Sequence, residues 1–134
     1  MAQGGAFFMV LGIIGDRTLE KMALFALVLT GGEEFIQFCE QKGFSGKVRQ
    51  IVTGPYEAAN KQLADAASSL GLETITLSPE NNSEEEHVSC GIQLIGRCDL
   101  LLAVWNGKEP VIADILQQAQ VLKKPLFSLI VQKQ

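Results

Sequence analysis

Short runs of consecutive apolar residues alternate along the chain with stretches whose apolar positions recur every three or four residues. The runs at residues 7–14, 48–53, 72–77, 99–105 and 126–131 have the length and continuity of strands buried on both faces, as parallel strands are. The third run adds β-branched Thr74, Ile75 and Thr76, and the fourth is the most hydrophobic of all. Gly54-Pro55 stops the second run. Proline suits the first helical position, so a helix is expected over residues 55–70, with Ala59, Leu63, Ala66, Ala67 and Leu70 on one stripe and Gly71 as its stop. Ser83-Glu84-Glu85-Glu86 reads as a capping box in which Ser83 and Glu86 satisfy each other's backbone donors, opening a helix that reaches about Arg97. Pro110 opens another, with Ile112, Ile115, Leu116 and Ala119 facing inward, and Lys123-Lys124-Pro125 ends it. Residues 18–43 are too many for a simple crossover. Leu19, Met22, Ala23 and Ala26 fit one helix, Gly31-Gly32 breaks it, and Phe35, Ile36, Phe38 and Cys39 fit a second; residues 25–30 also read as a strand.

This alternation predicts a single α/β domain over residues 1–134, with residues 1–6 as an extension outside the fold and Met9 as an alternative start. Right-handed crossovers put helices on both faces of a mainly parallel sheet, a three-layer Rossmann-like fold with expected order 3-2-1-4-5. In that order the first and fourth strands are neighbours and the winding reverses between them. Folds of this kind bind ligands in the crevice beyond those carboxyl ends.

Composition narrows the function classes. Apolar residues make up 47% of the 134 positions, enough for a core without disulfide or metal staples. The net charge of −4 argues against a nucleic-acid binder, which carries a basic stripe. No apolar run approaches the roughly 18 residues of a membrane span. Cys39, Cys90 and Cys98 match no zinc spacing and read as reduced thiols of a cytoplasmic protein. His87 and Cys90, three apart on a helix, lack a third ligand, so no metal is expected, and no cofactor motif is present. The apolar content and the little charge on the last helix point to a homo-oligomer.

The crevice loops hold the candidate chemistry. Gly15 lets the backbone turn off the first strand, Asp16 can accept from a ribose or base or cap the next helix, and Arg17 can grip a phosphate or carboxylate. Thr53 and Gly54 sit at a second strand-to-helix turn, with Tyr56 placed either to stack on a base or to lie exposed. Trp105, the only tryptophan, can line an aromatic slot or act as a core lid; Asn106 and Lys108 follow it. Gly12-Ile13-Ile14-Gly15 is not a dinucleotide fingerprint, and neither a Walker loop nor a hydrolase elbow occurs.

The blocks Gly15-Asp16-Arg17, Ile51-Val52-Thr53-Gly54, Cys98 through Lys108, and Lys124-Pro125 before the last strand together resemble a Rossmann-like superfamily. It includes the LOG ("lysine decarboxylase-like") phosphoribohydrolases, the DprA DNA-processing proteins and, more remotely, the nucleoside deoxyribosyltransferases. The resemblance implies a pocket for a nucleotide or nucleoside derivative, with N-glycosidic bond chemistry as the associated reaction class, and it matches Asp114 to an acidic position of some relatives. Where those families hold phosphate on a Gly-Gly-Thr turn, this chain has Pro110-Val111-Ile112; proline lacks an amide proton and the branched side chains crowd the backbone. Two readings follow: a nucleotide-like binding domain with or without catalysis, and a structural or regulatory oligomer whose pocket has degenerated.

Overall fold

The computed structural model describes residues 8–15, 33–43, 47–56, 61, 63–65, 67–68 and 71–130. Five strands form one sheet: β1 (Phe8–Gly15), β2 (Lys47–Thr53), β3 (Glu73–Thr76), β4 (Leu100–Trp105) and β5 (Leu126–Ile130). The order is β3-β2-β1-β4-β5 and every pairing is parallel. The chain is thus a Rossmann-like three-layer α/β fold, and β1 lies at the switch point between β2 and β4.

Three helices have described bounds: α1 (Glu33–Gln41), α2 (Glu84–Arg97) and α3 (Pro110–Val121). Residues 61, 63–65 and 67–68, between β2 and β3, are also helical. The short helix read from Phe35, Ile36, Phe38 and Cys39 is α1. The helix or strand read within residues 18–30 lies outside the described residues. Register assigns the faces. Phe127 of β5 meets Phe38 of α1 edge-on, with ring centroids 5.1 Å apart, whereas α2 and α3 cover the opposite face and pack on each other. Their contact is close at Gly91, where a Cβ would lie 2.3 Å from Cδ1 of Ile115.

β4 is buried along its whole length, as its unbroken apolar run requires. Leu11, Ile13, Ile14, Leu94, Ile95, Ile112 and Ile115 fill the layers around it. At the amino edge, Asp99 ties β1 to the start of β4. Its Oδ2 accepts from the Val10 amide at 2.8 Å, and its own amide donates to the Val10 carbonyl at 2.8 Å. The pairing of β1 with β2 shifts register at Met9/Val10 beside this clamp.

Two local expectations are corrected. Pro55 does not open a helix: the Gly54–Pro55 peptide is cis, Pro55 lies in a bend and Tyr56 is irregular. Packing on Leu77, just past β3, shapes this turn, because a Cβ on Gly54 would sit 2.8 Å from the Leu77 carbonyl oxygen. The cap of α2 is only half a capping box. Ser83 Oγ accepts from the Glu86 amide at 3.2 Å, but the Ser83 amide donates to Asn81 Oδ1 at 2.8 Å instead of to Glu86. A nearer side chain has taken the donor that the box assigns to glutamate.

Candidate functional site

Three described loops meet at the carboxyl edge of the sheet. The chain leaves β2 through Gly54, Pro55 and Tyr56, leaves β3 through residues 77–83, and leaves β4 through Asn106, Gly107, Lys108 and Glu109. Because β1 lies between β2 and β4, the first and third of these loops flank its end. They are joined there: the Tyr56 hydroxyl donates to Glu109 Oε1 at 2.9 Å, and both residues are buried. A carboxylate with little solvent needs such a partner, since burying a charge without one is costly.

The tyrosine ring has a second neighbour. His87, on the first turns of α2, lies with its ring centroid 5.2 Å from that of Tyr56 and tilted by 41°. Its Nδ1–H donates to the Ser83 carbonyl at 2.8 Å. In the neutral ring this leaves Nε2 as the acceptor. Tyr56 and His87 form the aromatic wall of a cleft of about 630 Å³, whose remaining lining is Pro55, Ser78, Pro79, Glu80, Asn81 and Asn82. That volume suits a small molecule.

The turn after β4 is held by Asn106, whose Oδ1 accepts from the amides of Lys108 at 2.7 Å and Glu109 at 3.0 Å. Glu109 then occupies the N-cap of α3 and Pro110 its first turn. Two backbone donors that could have met an anion are thereby satisfied internally.

The residues singled out from the sequence fall into distinct places. Gly15 ends β1; Asp16 and Arg17 lie outside the described residues. Thr53 is fully buried in the sheet, its Oγ1 3.5 Å from Thr76 Oγ1, and Gly54 packs on Leu77. Tyr56 is in the cleft wall, but buried and bonded through its hydroxyl. Trp105 is buried toward β5, its Nε1 donating to Ser128 Oγ at 3.0 Å. Asn106 is partly buried and serves the turn, while Lys108 and Asp114 are exposed. Sequence pattern alone does not mark Glu109 as functional; its one signal is a carboxylate immediately before the helix-opening Pro110. His87 and Cys90 diverge in role: His87 turns to Tyr56, and Cys90 packs near Gly54.

Burial pushes all three described thiols up, Cys98 to about 11, which keeps them protonated and poor nucleophiles. Among the described residues no group of His, Cys, Asp or Glu converges as a metal site, and no helix is long and apolar enough to cross a membrane. A second cleft, of about 530 Å³, lies at the opposite edge between Phe38, Lys42, Lys123 and Lys124. These lysines follow the carboxyl ends of α1 and α3, where cations complement the helix dipole. Comparison of the chain with protein-family models, curated proteins and solved structures finds no match.

Proposed function

We propose that this chain binds a nucleotide- or nucleoside-like small molecule in the cleft at the carboxyl edge of its sheet. The observation that carries the reading is the Tyr56–His87 wall of a 630 Å³ cleft, backed by the buried Glu109 carboxylate at the β1–β4 switch point. The two rings offer a surface for a planar base, and the asparagines and Ser78 offer hydrogen bonds to its edge. A carboxylate near the sugar would stabilise positive charge developing at an anomeric carbon, so N-glycosidic bond chemistry is the reaction class to assay. The three buried thiols fit a reducing, cytoplasmic setting.

A thermal-shift screen with nucleosides, nucleotides and free bases tests the reading. A ligand at 100 times its Kd adds about 2.7 kcal/mol to folding stability. The shift should be lost in His87→Ala, whose ring lines the cleft. If no compound stabilises the chain, or if His87→Ala responds like the parent, the reading fails.

A second reading is an oligomeric module without catalysis. Val121, Leu122 and Ile130 favour it, being large apolar residues more than half exposed. Light scattering that finds a stable dimer or larger assembly, dissociated by Val121→Glu, would support it. A monomer at high concentration would remove it.

A further inference from the structure

We propose that the crevice selects an uncharged or cationic ligand over a phosphorylated one: a nucleoside rather than its nucleotide. This rests on the binding reading above and adds to it a sign of charge. Consider the charged groups that the described loops bring to the cleft. Glu80 is in its lining, Glu84, Glu85 and Glu86 occupy the first turn of α2 beside it, and Glu109, outside the lining, is buried against the hydroxyl of the Tyr56 that forms the wall. Lys108 is the one cation among the described residues of these loops; it is exposed, as are Glu80, Glu84 and Glu85, so salt screens both signs and the acidic groups prevail by number.

The backbone points the same way. Helix N-termini at such an edge ordinarily attract phosphate. At α2, Ser83 Oγ already holds the Glu86 amide, and the three glutamates offset the positive end of the dipole. At α3, Asn106 holds the amides of Lys108 and Glu109, and Pro110 has none. The next two amides belong to the buried residues Val111 and Ile112, at the same helix end as the Glu109 carboxylate. An incoming phosphate would meet that like charge.

What the lining offers instead is acceptors: Glu80 at the rim and, in the neutral ring, the Nε2 of a His87 whose Nδ1 is committed to Ser83. Hydroxyl and amino groups are the donors that match them.

Calorimetric titration of the full chain with adenosine, guanosine, cytidine and uridine, each beside its 5′-monophosphate, tests the inference. The nucleoside that binds should do so at least tenfold more tightly than its monophosphate at low salt, and added salt should narrow the ratio. Glu80→Lys should narrow it too, by raising affinity for the monophosphate. A monophosphate that binds as tightly as its nucleoside, or more so, overturns the charge preference and leaves the binding reading standing. Binding of neither member of any pair overturns both.

Discussion

The Tyr56 hydroxyl meets the Glu109 carboxylate at 2.9 Å although the residues are 53 apart in the chain. The bond spans the end of β1 and ties the loop after β2 to the loop after β4. It is therefore a brace between the two loops, and it fixes the Tyr56 that lines the cleft. A hydrogen bond to a charged group contributes about 1.5–3 kcal/mol. Tyr56→Phe should lower stability by about that amount in urea unfolding. A double-mutant cycle with Glu109→Ala should return a coupling of about 1 kcal/mol or more. Additive losses would mean the two side chains act independently.

The architecture was readable because its signals are local. Each strand is a short apolar run, and Gly71, Ser83 and Pro110 mark boundaries through their own backbone chemistry. The helix over Glu84–Arg97 and the start of α3 at Pro110 follow directly from such marks. The site was less readable because it is made by tertiary placement. Nothing near Glu109 in sequence indicates that a tyrosine from another loop will cover it. Tyr56 seemed free to stack or to lie exposed because its hydroxyl's partner is remote. In the sequence His87 stands beside Cys90, its neighbour on the helix, whereas its ring contact is Tyr56 from another loop. Pro55 misled for a related reason: its helix-opening preference is local, but the packing of Gly54 on Leu77 governs the turn.

Gly91 sets how closely α2 can approach α3. A Cβ there would stand 2.3, 2.5 and 2.9 Å from three carbons of Ile115, and Ile115 is itself fully buried. Overpacking of this kind costs about 1–3 kcal/mol. Gly91→Ala should destabilise by that amount in urea, despite alanine's better helix propensity. In an Ile115→Ala background the same change should cost far less, since the clashing carbons are gone. An equal cost in both backgrounds would point away from this contact.

Lys123 offers the opposite experiment. It follows the C-cap of α3 with φ of +58°, a left-handed conformation that glycine adopts without penalty. The penalty for a side chain there is roughly 1–2 kcal/mol. Lys123 is exposed, so its side chain loses little packing on removal. Glycine's greater freedom in the unfolded chain offsets part of the gain. Lys123→Gly should therefore raise stability by about 0.5–1 kcal/mol, read as a higher urea midpoint with an unchanged slope. Lower stability would show that the lysine side chain contributes more than the backbone strain costs.

Cys98 makes stability depend on alkaline pH. Burial lifts its thiol from 9.0 to about 11, with Lys124 acting in the other direction, and its Sγ–H donates to the Ile95 carbonyl at 3.7 Å. The folded state thus disfavours the thiolate. Below pH 9 the thiol is protonated whether the chain is folded or not, and its contribution is fully present. Between pH 9 and 11 the unfolded chain loses the proton first, so the contribution falls away as pH rises. That rise corresponds to roughly 3 kcal/mol. Urea unfolding across pH 7–11 should show stability level up to about pH 8.5 and declining beyond it. Other groups titrate in that range, so the informative quantity is the difference from Cys98→Ala. That variant should be less stable at pH 7, having lost a packed sulfur, yet decline more gently above pH 9. Parallel curves for the two proteins would show that Cys98 ionises as readily in the folded chain as in the unfolded one.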